Sequence, residues 1–194
     1  FGSSIIEILN EFKDWKAIVI GDEEREKLVF KHKRLHILGF KNHNEVIKIF
    51  KKTNISVVCS RWEEPFGRTS LESASCGCAV IITNRGGLPE TITNAVILNK
   101  LTKDHVYQAI SNLIKNKKYR EELQKLSINN FNLTHTNASI QIDDYRNEIL
   151  NSGENKKIIT KKKLKILHVT NFNERHNGRL FYNTGKRINN GFVR

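Results

Sequence analysis

The chain has 194 residues and carries 33 Lys and Arg against 20 Asp and Glu, a formal charge of +13. Its 38% hydrophobic content supports a sizeable core in one full domain and part of another, and no apolar run approaches the roughly 20 residues that a membrane-spanning helix needs. The positive balance favours anionic partners such as nucleotides, phosphosugars or acidic membrane surfaces, or is the plain solubility of a Lys- and Asn-rich chain. No aromatic platform of the RNA-binding type accompanies the basic residues, so nucleic acid is set aside.

The sequence opens at Phe1 and ends at Gly191-Phe192-Val193-Arg194 without an obvious terminal element, and it reads as a piece of a longer protein. Ile5, Leu9 and Phe12, with Ile8 beside them, form a first helical stripe. Ala17-Ile18-Val19-Ile20 is a continuous apolar run ending at Gly21-Asp22, and Leu35-His36-Ile37-Leu38 ends at Gly39. Val46, Ile49 and Phe50 mark a second helix. Ile55-Ser56-Val57-Val58-Cys59 stops at Ser60, Ala79-Val80-Ile81-Ile82 at Thr83, and Ala95-Val96-Ile97-Leu98 at Asn99. Short runs that are apolar on both faces suit a parallel sheet covered by helices on each side. Val106, Ala109, Ile110, Leu113 and Ile114 recur at i, i+3, i+4, i+7 and i+8, the cleanest helical pattern in the chain. Strand–helix alternation implies right-handed βαβ units and predicts an α/β fold with a doubly wound, Rossmann-like parallel sheet.

Two more helical stretches are expected near residues 118–131 and 138–150. Composition then shifts at Asn151-Ser152-Gly153-Glu154-Asn155, and Lys156, Lys157, Lys161, Lys162, Lys163 and Lys165 form a basic run. Such a run is a solvated tether or, in the sharper reading, a contact with anionic lipid. Leu164-Lys165-Ile166-Leu167-His168-Val169-Thr170 reads as a new strand, followed by a polar loop and a helix over 178–190. The expected organisation is a main domain over 1–151, a basic linker over 152–163 and a truncated βα opening of a second Rossmann-like domain over 164–194.

Cys59, Cys76 and Cys78 are odd in number and irregular in spacing, which argues for a reducing, cytoplasmic setting over a disulfide framework. Cys76-Gly77-Cys78 lacks a second pair, and the seven histidines show no ligand spacing, so no metal site is expected. His176 is read as a surface residue, with acceptor contact as the alternative.

The chemistry concentrates between Glu64 and Glu72, with Pro65 and Gly67 between them. Proline and glycine sharpen a strand-to-helix connection and let backbone approach a ligand. Thr69 and Ser70 are natural N-cap residues, and the helix that they open has free N–H groups and a partial positive charge at its end. A diphosphate suits that place. Glu72, expected in the first turn, either accepts bonds from a sugar diol or completes a capping box with Thr69. Glu64 either meets what the diphosphate carries or is a solvated loop acid beside Glu63. Arg68, a cation at a helix N-terminus, points to a nearby anion or to simple exposure.

These residues carry a resemblance. Glu64-Pro65-Phe66-Gly67 followed by Leu71-Glu72 resembles the E-x7-E segment of family 4 retaining glycosyltransferases. Cys76-Gly77-Cys78-Ala79-Val80 and Gly86-Gly87-Leu88-Pro89-Glu90 continue it in order. Ile18-Val19-Ile20-Gly21-Asp22 and His36-Ile37-Leu38-Gly39 resemble earlier strands of the same domain, so that the likeness spans about residues 1–150. It implies the C-terminal, donor-binding half of a GT-B enzyme that uses a nucleotide-diphosphosugar as substrate, with no cofactor and no metal. By the same likeness Glu64 contacts the transferred sugar and Glu72 holds the ribose diol, while backbone N–H groups around Phe66, Gly67, Arg68 and Thr69 face the sugar or diphosphate. The implied acceptor is a glycan or a lipid-linked glycan in polysaccharide biosynthesis, at the cytoplasmic side with peripheral contact to an anionic membrane as an option. An Arg and a Lys that the family places before the first helix, and its acceptor-binding half, lie outside this chain. Residues 164–194 resemble, more weakly, the opening of a second glycosyltransferase. Rival readings are a non-catalytic nucleotide-sugar scaffold and a GT-B-fold sugar-nucleotide epimerase or phosphorylase, although no pyridoxal lysine site for the last is evident.

Overall fold

Ala79-Val80-Ile81-Ile82-Thr83 is apolar on both faces, and burial on both faces is what it obtains. In the computed structural model, which describes residues 2–21, 29–92 and 94–152, its four apolar residues are 0% exposed. In chain order the elements are α1 (Gly2–Glu11), β1 (Ala17–Val19), β2 (Leu35–Ile37), α2 (His43–Phe50), β3 (Ile55–Val58), α3 (Arg68–Ser75), β4 (Ala79–Thr83), α4 (Leu88–Thr91), β5 (Val96–Leu98), α5 (Lys103–Lys115), α6 (Lys117–Asn129) and α7 (His135–Asn151). The expected class, parallel strands joined through helices, is the one that forms.

Side chains alternate across β4, and each set meets its own layer. Ala79 and Ile81 pack with Ile5, Ile8 and Leu9 of α1 and with Val106, Ile110 and Leu113 of α5. Val80 and Ile82 pack with Phe50 of α2, Ala74 of α3, and Leu88. Each fully buried side chain of this size contributes about 1.5–3 kcal/mol, so the two layers are the main source of cohesion.

All strand pairs are parallel. β4 lies between β3 and β5, with Ile55 opposite Ala79 and Ile81 opposite Val96. β1 pairs with β2, Ala17 opposite Leu35. The hydrogen-bonded ladder is interrupted between these two sets, where a cleft of about 650 Å³ is lined by β1, β3, α1 and α5. Beside the cleft Ile18 stays 41% exposed, unlike any residue of β4.

Arg34 closes the end of α1. Its guanidinium donates to the carbonyls of Phe12 at 2.8 Å and Lys13 at 2.6 Å, just past the helix, and to that of Leu9, in the last turn, where helix carbonyls lack intrahelical donors.

Two compact units divide the chain, Phe1–Ser139 and Ile140–Arg194. Everything described so far except the far part of α7 belongs to the first. In the second, residues 140–152 continue α7, which has no buried residue. The expected basic linker beyond residue 152, and the expected strand and helix over 164–194, lie outside the described residues. Among the described residues no helix is long and apolar enough to cross a membrane.

Candidate functional site

The turn before α3 is built around Gly67. Its φ of +85° is left-handed, and a Cβ there would lie 2.5 Å from Cδ2 of Leu88. Only glycine meets both demands cheaply. Gly67 is the N-cap, and no side chain caps the helix. Arg68, Thr69 and Ser70 are the first three helical residues, so their N–H groups have no acceptor inside α3.

This geometry corrects two details of the sequence reading. Thr69 and Ser70 lie inside the helix and cannot cap it, because a side-chain cap needs non-helical backbone. Ser70 is buried instead, and its hydroxyl donates to the Gly67 carbonyl at 2.6 Å. Glu72 is the fifth helical residue, beyond the first turn, and forms no capping box. Its carboxylate accepts from Arg68 Nη2 at 3.3 Å and lies 3.7 Å from His43 Nδ1.

The two acids therefore differ. Glu72 is held by the Arg68 guanidinium with the His43 imidazole beside it, and its side chain is 22% exposed. Glu64 is half-buried, and among the described residues its carboxylate has no hydrogen-bond or ion-pair partner. Phe66 beside it is 47% exposed. The structure thus gathers Glu64, Phe66, Gly67, Arg68, Thr69 and Glu72 along one turn at the carboxyl end of β3. Arg68 and Glu72 touch each other directly.

A second loop backs this turn. The Gly87 N–H donates to the Glu64 carbonyl at 2.7 Å. Arg85 pairs with Glu63 at 3.0 Å, and the Gly86 N–H donates to the same carboxylate at 2.6 Å. Arg85 first, then the Gly86 N–H, holds the Glu63 carboxyl below the usual carboxylate range.

Sequence reasoning overlooked His43, Glu63 and Arg85. His43 had a signal: Asn42 and Glu45 form a capping box, which puts His43 at the first position of α2, beside the same sheet edge as α3. Glu63 and Arg85 had none, because their pairing joins residues 22 apart.

A parallel α/β sheet with a glycine-headed helix at its carboxyl edge, flanked by acids, defines a Rossmann-like protein of the kind that binds nucleotides at that edge. The profile described as Glycosyl transferases group 1 matches residues 4–129, and the chain belongs to that family. It is 28% identical over 141 residues to spore coat protein SA of Bacillus subtilis, covering 62% of this chain and 37% of that protein. The chain spans between about a sixth and about a third of the length of the curated relatives that it matches. Among solved structures it is similar to the C-terminal domain of the glycosyl transferase group 1 family protein LpcC from Francisella tularensis. That likeness has a TM-score of 0.59 and 27% identity, covering 66% of this chain and 74% of that one. It also shares its fold with Anabaena Alr3699/HepE in complex with UDP-glucose, at a TM-score of 0.52 and 20% identity, covering 71% of this chain and 41% of that one.

Proposed function

We propose that this chain supplies the donor-binding half of a retaining glycosyltransferase of the E-x7-E type. The whole enzyme moves a sugar from a nucleoside-diphosphosugar to a glycan or lipid-linked acceptor in the cytoplasm. The observation that supports this best is the α3 turn, where exposed Arg68 and Thr69, whose N–H groups lack intrahelical acceptors, sit between a half-buried Glu64 with no partner among the described residues and a Glu72 held at the rim.

In this reading the diphosphate oxygens accept from the N–H groups of Arg68 and Thr69, the exposed residues that open α3. Charge-assisted bonds of this kind contribute about 1.5–3 kcal/mol each. Glu72 takes the two ribose hydroxyls. Arg68, released from Glu72, turns to the diphosphate. Glu64, with the N–H groups of Phe66 and Gly67, meets the transferred sugar. As the glycosidic bond breaks, negative charge collects on the departing nucleoside diphosphate. The fixed N–H dipoles stabilise that charge more than they stabilise the bound donor, which is what accelerates transfer. The lysines over 156–165 serve as a solvated tether or, in the sharper reading, meet anionic membrane near a lipid-linked acceptor.

UDP-glucose is the first donor to try, because Alr3699/HepE is in complex with it. Titration of the chain with UDP-, GDP- and ADP-sugars by calorimetry tests the reading. Saturable binding of one of them is expected, and a folded sample that binds none contradicts it.

A further inference from the structure

Glu63 and Glu64 are neighbours with opposite circumstances. The Glu64 carboxylate has no partner among the described residues, whereas both oxygens of Glu63 are engaged, Oε1 by Arg85 at 3.0 Å and Oε2 by the Gly86 N–H at 2.6 Å. Two more bonds join the same two segments. Thr83 Oγ1 donates to the Ser60 carbonyl at 2.9 Å, and the Gly87 N–H donates to the Glu64 carbonyl at 2.7 Å. Rising residue number on one segment thus meets rising residue number on the other.

The backbones are pressed together along this strap. A Cβ at Gly86 would lie 2.3 Å from the Glu64 carbonyl oxygen, and one at Gly87 would lie 2.7 Å from that of Pro65. Residues 63–65 therefore have their main chain fixed on both sides of Glu64. With no partner among the described residues, the Glu64 side chain takes its aim from that main chain. The bland alternative is an ordinary surface ion pair, since Glu63 and Arg85 are 67% and 51% exposed and such pairs add little stability. The main-chain N–H held by the second carboxylate oxygen separates the two cases, because it ties the Glu63 side chain to the Gly86 backbone as well as to Arg85.

We propose that Glu63 is a positioning residue. Its carboxylate straps the loop to Arg85 and Gly86, so that Glu64 meets the transferred sugar. This rests on the donor-binding reading given above. The nucleotide part of the donor depends on α3 and Glu72, which the strap does not touch. Loss of Glu63 should therefore weaken the sugar-dependent share of binding and spare the rest.

The test compares wild type, Glu63→Gln and Glu63→Ala in the 194-residue chain, titrated with UDP-glucose and with UDP alone, alongside amide exchange at Gly86 and Gly87 without ligand. Glu63→Ala should weaken UDP-glucose by roughly five- to tenfold, the size of one lost positioned hydrogen bond, and UDP by less than about twofold. Glu63→Gln, which keeps an acceptor for the Gly86 N–H, should fall between. Thermal midpoints should stay level, and exchange at both glycines should quicken in Glu63→Ala. Equal losses for UDP and UDP-glucose, or none, overturn the positioning role. Unchanged exchange overturns the strap whether or not a nucleotide binds. A wild-type chain that binds neither nucleotide removes the donor reading and the sugar-directed role with it, while the exchange data still decide whether the strap exists.

Discussion

The pair Glu64 and Glu72 shows how one residue type acquires two tasks from its surroundings. Glu72 is already organised by Arg68 and His43, so its loss should act on nucleotide affinity. Glu72→Ala is expected to weaken donor binding about tenfold in calorimetry, the effect of removing a charged hydrogen-bond partner. Among the described residues Glu64 has no such partner, and its loss should act on the sugar-dependent share of binding and on the transfer step. In the longer parent enzyme Glu64→Gln should leave affinity for UDP alone within about twofold and slow transfer by about a hundredfold or more, as loss of a positioned transition-state contact does. Transfer rates unchanged in both variants would instead favour a scaffold. Gly67 carries the shape of the turn. Gly67→Ala meets both the positive φ and the Leu88 side chain, and should lower unfolding free energy by about 2 kcal/mol or more in a denaturant titration.

At the scale of elements, the strands and most helices were legible because their signals are local. Ala79-Val80-Ile81-Ile82 is apolar on both faces whatever surrounds it, and Val106 to Ile114 repeats at helical spacing without help from elsewhere. The one-turn α4 was not legible as a helix, since four residues cannot display a period. The start of α3 was misread for a tertiary reason. Thr69 and Glu72 match a capping box, yet the helix begins earlier because Gly67 adopts a left-handed turn under Leu88, 21 residues on. Glu63 and Glu64 are alike in sequence, and what tells them apart is Arg85 and Gly86 on another loop. The layering of β4 also makes a stability forecast. Ile81→Ala should cost about 2–5 kcal/mol in chemical unfolding as a cavity forms between α1 and α5. Ile18→Ala, at a strand 41% open at that residue, should cost much less.

For the whole molecule, burial sets a limit on alkaline stability. It pushes the Cys59 thiol up to about 11 and the Cys78 thiol up to about 12. Hydrogen bonds donated to Glu7 and Glu11 likewise raise Lys103 and Lys115, in ion pairs of 2.7 and 2.9 Å that tie α1 to α5. Each folded value lies above its unfolded one. The unfolded chain therefore loses these protons first as pH climbs, and the stability that they confer is complete below pH of about 9 and declines from there toward 12. Thermal midpoints should fall across that window, and Cys78→Ala should flatten part of the slope. The proposed function depends on the amides that open α3 receiving the diphosphate of an activated sugar. Backbone amide spectra of the chain, recorded while the donor identified by calorimetry is added, test it most directly. The resonances of Gly67, Arg68 and Thr69 are expected to move most and to saturate with the binding isotherm. Saturable binding that leaves those three in place while other amides move would contradict it.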